Sequence, residues 1–208
     1  RSGQFGIHTL AEEIELLQQL NRDSGREAGI YPEIKRPAWH REEGVDIAPA
    51  MLALLRSFGY SSGDDAVFVQ CFDADEVRRL RHELDCPWQL VQHIGENSWR
   101  EADTDYEFLQ TTEGLEKLAE NADAIGPWTQ QLYKYEDING RLVSSGLTSR
   151  AHDLGLAVHP YTFRVDELPP GFASFDDLIL YFARNLGVDG LFTDFPDRVR
   201  RLLHDLDH

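Results

Sequence analysis

Gly29-Ile30-Tyr31-Pro32-Glu33-Ile34-Lys35-Arg36-Pro37 sets a carboxylate and an ammonium two residues apart at the end of a short apolar run. On a β-strand, residues i and i+2 point to one face, so Glu33 and Lys35 would project together. In a parallel barrel, catalytic groups gather at the C-terminal ends of the strands. A carboxylate for a hard cation beside a lysine for a phosphate oxygen suits phosphodiester chemistry. A surface Glu/Lys pair closing a strand is the plainer reading of the same spacing.

Upstream of this strand (about 28–34), Leu10, Ile14, Leu17 and Leu20 recur at helical spacing. Thr9 is a capping candidate, with Glu12 three residues on. Downstream, the pattern predicts a helix over 46–58, a continuous apolar strand over 67–71, a helix opening at Asp73 and running to Leu84, and a strand over 88–94. Residues 95–112 read as a long polar and aromatic loop on the active face. Then come a helix over 113–121, a strand over 122–125 ending at Gly126-Pro127, a polar insertion at 129–141 and a helix over 144–154. A strand over 156–159, a helix over 175–186, a strand over 189–193 and a helix over 196–206 complete the chain.

These are about six strand–helix units with no hairpin signal between them, which predicts an α/β fold with a parallel sheet in a single domain over 1–208. No GxGxxG or Walker-type loop follows any strand. Polar residues end nearly every strand: Glu33 and Lys35, Gln70, Gln92 and His93, His159 and Asp194. An open sheet concentrates its site at one switch point, whereas a barrel draws on many strand ends. The expectation is a TIM (β/α)8 barrel with about six of its eight units in this chain.

With 208 residues, 41% hydrophobic and 27% charged, the composition is that of an ordinary globular protein. A net charge of −17 argues against nucleic acid and against adsorption to anionic membranes. It does not exclude an anionic small molecule, because one bound cation reverses the local field. No apolar run reaches the roughly 18–20 residues of a membrane span. The chain starts at Arg1 without a signal-peptide core, so a processed chain or a fragment is expected. Cys71, in an apolar run, reads as a buried free thiol, and neither it nor Cys86 has metal-type spacing.

Four segments carry a resemblance. Tyr31-Pro-Glu-Ile-Lys35 with Pro37 and His40, Val69-Gln-Cys-Phe-Asp73-Ala-Asp-Glu76, Val158-His-Pro-Tyr-Thr-Phe-Arg164 and Gly190-Leu-Phe-Thr-Asp-Phe-Pro-Asp197 resemble the glycerophosphodiester phosphodiesterases, in order and in one register from about Ile7 onward. The periplasmic bacterial type is the most similar. The resemblance implies a TIM-barrel enzyme that hydrolyses glycerophosphodiesters such as glycerophosphocholine to glycerol 3-phosphate and an alcohol. It also implies a divalent cation, calcium first and magnesium second, and a periplasmic or otherwise extracytoplasmic location. Glu33 matches the family's metal-binding glutamate and Lys35 the lysine that approaches the phosphate. Gln70 and Phe72 match pocket-facing positions, while His159 and Tyr161 fall where the family lines the substrate side. The family's His-Arg-Gly motif, its acidic metal pair and its second catalytic histidine do not occur in this sequence, so no catalytic residue is assigned. The chain therefore reads as the last six units of the barrel, with the first quarter to third absent. A catalytically incomplete barrel acting as a binding or structural domain is the alternative.

Several residues carry two readings each. Gln70 would donate to a phosphate or bond within the barrel mouth; His159 would contact substrate or pack in the core; Asp194 would serve the site or cap the final helix. Trp99, Tyr106, Phe108 and Trp128 would frame the alcohol moiety or pack on the rim. His40 and the tail cluster of His204, Asp205, Asp207 and His208 read as solvated.

Overall fold

The computed structural model describes residues 6–136, 138 and 140–204. Helix α1 (Leu10–Ser24) begins at the expected capping box: the Thr9 hydroxyl accepts from Glu12 N, and the Glu12 carboxylate accepts from Thr9 N at 2.7 Å. It stops at Gly25, whose φ of +64° is reached without a Cβ penalty. Strand β1 (Glu33–Ile34) is shorter than expected because Pro32 has no N–H to give. The ladder nonetheless runs the full length, through Ile30 N to Ala66 O, Phe68 N to Ile30 O and Gln70 N to Pro32 O. Arg36 then turns into the left-handed region at φ +46°, and Pro37 opens α2 (Pro37–Glu42), so the chain leaves the sheet immediately after Lys35.

Helix α3 (Ile47–Ser57) precedes β2 (Phe68–Cys71), α4 (Ala74–His82) and β3 (Gln89–Ile94). The expected loop at 95–112 holds a 3-10 turn at Asn97–Trp99 and helix α5 (Tyr106–Leu109), capped by Asp105, which accepts from Phe108 N. Helix α6 (Thr112–Ala119), strand β4 (Ala124–Pro127) and a 3-10 turn at Thr129–Gln131 follow. The expected polar insertion at 129–141 carries an antiparallel hairpin, β5 (Tyr133–Glu136) with β6 (Arg141–Ser144), where none was expected. Helix α7 (Leu147–Asp153), strand β7 (Ala157–Val158) and helix α8 (Phe175–Leu180) come next. α8 runs into a π-helical turn at Tyr181–Leu186, and α9 (Pro196–His204) ends the described chain. The tail residues Asp205, Asp207 and His208 lie outside the described residues.

The sheet order is β1-β2-β3-β4-β7, all parallel. The expected strand at 189–193 is reduced to one bridge, Phe163 to Thr193. It still extends the ladder past β7 through Phe192 N to Pro160 O and Phe163 N to Phe192 O. The sheet curls without closing, with helices packed on its outer face. Outward residues of the strands, among them Ile34, Val69, Leu90, Ile125 and Val158, are buried against those helices, each worth about 1.5–3 kcal/mol. The inner face brings Tyr31 against Phe192 at 4.9 Å between ring centroids, although their segments lie at opposite ends of the sheet order. Both cysteines are buried and free. Among the described residues, no helix is long and apolar enough to cross a membrane.

Candidate active site

The inner-face residues of three adjacent strands meet in register at the C-terminal end of the sheet, because Glu33 pairs with Gln70 and Gln70 with Val91. There a cavity of about 290 Å3 is lined by Glu33, Lys35, Gln70, Phe72, His93, Trp99, Glu101, Tyr161, Thr162 and Phe192. Glu33 and Lys35 project together, as the two-residue spacing requires. Their charged atoms are 3.4 Å apart, and the Lys35 side chain is 73% exposed against 21% for Glu33. An exposed pair of this kind contributes about 0–1 kcal/mol, so the ammonium is free to exchange partners.

Gln70 is buried, with its amide nitrogen donating to Tyr31 O at 3.1 Å and its oxygen facing His93 Nε2. His93 Nδ1 lies 3.2 Å from Gly126 O. Gly126 stands opposite His93 in the β3–β4 register, and a Cβ there would come within 2.4 Å of His93 Nδ1. Phe72 stacks on the imidazole at 4.7 Å and Tyr161 meets it edge-on at 5.0 Å. Burial pushes the His93 pKa down to about 4, with the Lys35 charge adding to the shift and the Gly126 carbonyl opposing it. A neutral ring has one N–H to give; carried on Nε2 it donates to the Gln70 oxygen, while the Gln70 amide nitrogen keeps its bond to Tyr31 O.

Of the residues singled out in the sequence, the fold brings Glu33, Lys35, Gln70, Phe72 and Tyr161 around one cavity. His159 stands apart, deeper in the barrel. Its Nδ1 is 2.9 Å from the Tyr31 hydroxyl, and its ring meets Phe68 edge-on and lies against Gly190. Burial lowers its pKa as well. Asp194 neither lines this cavity nor stands free; it holds Arg164. Of the four loop aromatics, Tyr106 is buried with its hydroxyl donating to Phe72 O, and Phe108 lies under Lys117. Trp99 and Trp128 face the rim together. Glu101, Thr162 and Phe192 also line the cavity without having been selected. Thr162 and Phe192 sit inside recognised segments, but Glu101 lies in an aperiodic stretch where spacing gives no signal.

Among the described residues, no group of three His, Cys, Asp or Glu side chains converges that could hold a metal ion. Glu33 and Glu101 give two carboxylates on one cavity wall, fewer oxygens than the six to eight of a calcium site.

A family model described as the Glycerophosphoryl diester phosphodiesterase family matches residues 1–198. The chain is 34% identical to a glycerophosphodiester phosphodiesterase of Haemophilus influenzae and 32% identical to one of Treponema pallidum, each over 93% of its length. It spans 57% and 58% of those relatives, little more than half of each. Among solved structures, a glycerophosphodiester phosphodiesterase from Parabacteroides distasonis superposes with a TM-score of 0.61 at 15% identity, covering 96% of this chain and 65% of that one. A phosphodiesterase from Oleispira antarctica, solved in complex with the product sn-glycerol-3-phosphate, gives 0.56 at 19%, covering 94% and 61%. The two structural matches carry the barrel class, and the sequence match carries the kinship: this chain belongs to the glycerophosphoryl diester phosphodiesterase family.

Proposed function

We propose that the protein hydrolyses glycerophosphodiesters, glycerophosphocholine among them, to glycerol 3-phosphate and an alcohol. The observation that supports this most is the wall on which Glu33, Lys35 and Gln70 converge at the C-terminal ends of parallel strands. Lys35 meets a phosphoryl oxygen, releasing Glu33 from a weak ion pair. The Gln70 amide, held by Tyr31 O and His93, presents a fixed dipole to the same anion. Phe72, Phe192 and Trp99 wall the glycerol side and thin out water there. The product bound in the Oleispira antarctica relative is the half-molecule that this wall would hold.

Glu33 serves as one ligand of a divalent cation, calcium in the first place and magnesium in the second. Such an ion would draw charge from the phosphoryl oxygens. Proton transfer falls to groups other than His93, whose neutral and enclosed ring is a poor acid near pH 7. The test is release of sn-glycerol 3-phosphate from glycerophosphocholine, with added calcium and with a chelator. Calcium-dependent release that Glu33→Ala lowers by at least about a hundredfold is expected. Undiminished release in Glu33→Ala and in chelator overturns the metal role, and no release either from this chain or from a version completed with the family's His-Arg-Gly segment overturns the hydrolase reading.

A further inference from the structure

The charged side chains that line the cavity at the strand ends are Glu33, Lys35 and Glu101. Lys35 stands 3.4 Å from Glu33, so their charges offset each other locally. Glu101 has no such partner: among the described residues its carboxylate makes no side-chain hydrogen bond or ion pair. The loop that carries it is fixed at both ends. Arg100, at φ +55°, closes the 3-10 turn at Asn97–Trp99 in the left-handed region and redirects the chain. Asn97 Nδ2 donates to Asp105 Oδ1 at 3.1 Å and Asn97 Oδ1 accepts from Tyr106 N at 2.8 Å, while the Thr104 hydroxyl accepts from Ala74 N at 3.1 Å. An anchored loop thus presents Glu101 to the cavity. The Tyr161 hydroxyl registers it: burial raises that pKa most, and nearby charges, those of Glu33 and Glu101 among them, add to the rise.

Hydrolysis changes the charge of the ligand held there. Water supplies the oxygen of a new P–O bond as the bond to the alcohol oxygen breaks. One water proton ends on the alcohol and the other on the phosphate. The diester carries a single negative charge. The monoester sheds its extra proton with a pKa of about 6, and so carries about −1.5 to −2 at pH 7. Lys35 attracts both forms, whereas an unpaired carboxylate repels the monoester more strongly than the diester.

We propose that Glu101 sets the preference of this cavity for a phosphodiester monoanion over a phosphomonoester dianion, and so favours departure of the product. This rests on the hydrolase reading above, because only hydrolysis turns the first ligand into the second.

Calorimetric titration at low salt and about pH 8 compares sn-glycerol 3-phosphate with glycerophosphoglycerol, a diester whose second alcohol is uncharged. Both are titrated into the protein and into Glu101→Gln, which keeps the shape of the side chain and removes its charge. The variant should bind the diester about threefold more tightly and the monoester about tenfold, because the gain compounds with each ligand charge. The difference should shrink at about 1 M salt. Glu107→Gln, at an exposed carboxylate on α5, removes the same charge outside the cavity and should change neither affinity. Equal tightening of the two ligands, no tightening, weaker binding, or the same gain in Glu107→Gln overturns the proposal and leaves the Lys35 wall standing. Binding of neither ligand to either protein strikes the hydrolase reading instead, and the Glu101 role falls with it.

Discussion

At the scale of single residues, His93 is where burial and bonding pull in opposite directions. In the structure both ring nitrogens face oxygen atoms, Gly126 O and Gln70 Oε1, which suits a charged ring. Burial opposes the charge and brings the pKa from its ordinary 6.5 down to about 4. The unfolded chain therefore takes up a proton first as the pH falls. The neutral ring's contribution is complete above pH 6.5, declines between 6.5 and 4, and is exhausted below 4; the loss amounts to about 3 kcal/mol. His159, also lowered by burial, acts in the same direction. Urea unfolding across that interval should show a slope that His93→Leu flattens, and an unchanged slope would contradict the buried neutral ring. Gly126 belongs to the same device. Gly126→Ala should cost about 1–3 kcal/mol, because the new Cβ displaces the His93 ring, and should move the His93 resonances. A neutral substitution there would mean the strands part easily at this point.

Among the elements, α2 is tied down by charge more than by apolar contact. Glu76 on α4 is fully buried, and Arg41 of α2 and Arg79 both bond its carboxylate; Arg79 also reaches Asp46. This clamp fixes the helix that begins two residues after Lys35. Glu76→Ala should destabilise the fold by about 3–5 kcal/mol, since it strips two guanidinium groups of a buried partner; a loss under 1 kcal/mol in thermal or urea unfolding would argue that α2 is held otherwise. Elements with local chemical signals were legible in the sequence. The Thr9–Glu12 capping box, the Asp73 cap and the apolar run at 67–71 all stand where their residues put them. The β5–β6 hairpin was not legible from hydrophobic alternation, because most of both strands is solvent-exposed. Its one signal is the Asn139-Gly140 pair in the sequence, a favoured hairpin turn dipeptide. The 189–193 stretch reads as a strand by composition but keeps a single bridge, since Asp189 and Gly190 are spent elsewhere. Asp189 Oδ2 accepts from Val158 N and pairs with His152, while Gly190 makes space for His159.

Over the whole molecule, strand periodicity explains why most of the candidate site could be read in advance. Residues 33 and 35, 70 and 72, and 161 lie at inward positions of parallel strands, and parallel register gathers such positions at one end. His159 obeys the same alternation but lies one step deeper, where Tyr31 and Phe68 enclose it. Position along a strand, unlike facing, depends on sheet curvature, which residue spacing does not encode. The acidic excess of the chain likewise concealed its local variation: a lysine in the cavity at the strand ends, three carboxylates around Arg164 outside it. The account turns on the phosphate meeting Lys35 on that wall. Calorimetric titration of sn-glycerol 3-phosphate into the protein and into Lys35→Met addresses it directly. Binding weakened about tenfold or more in Lys35→Met, with an unchanged fold by circular dichroism, is the predicted result; equal affinity in the two proteins would contradict it.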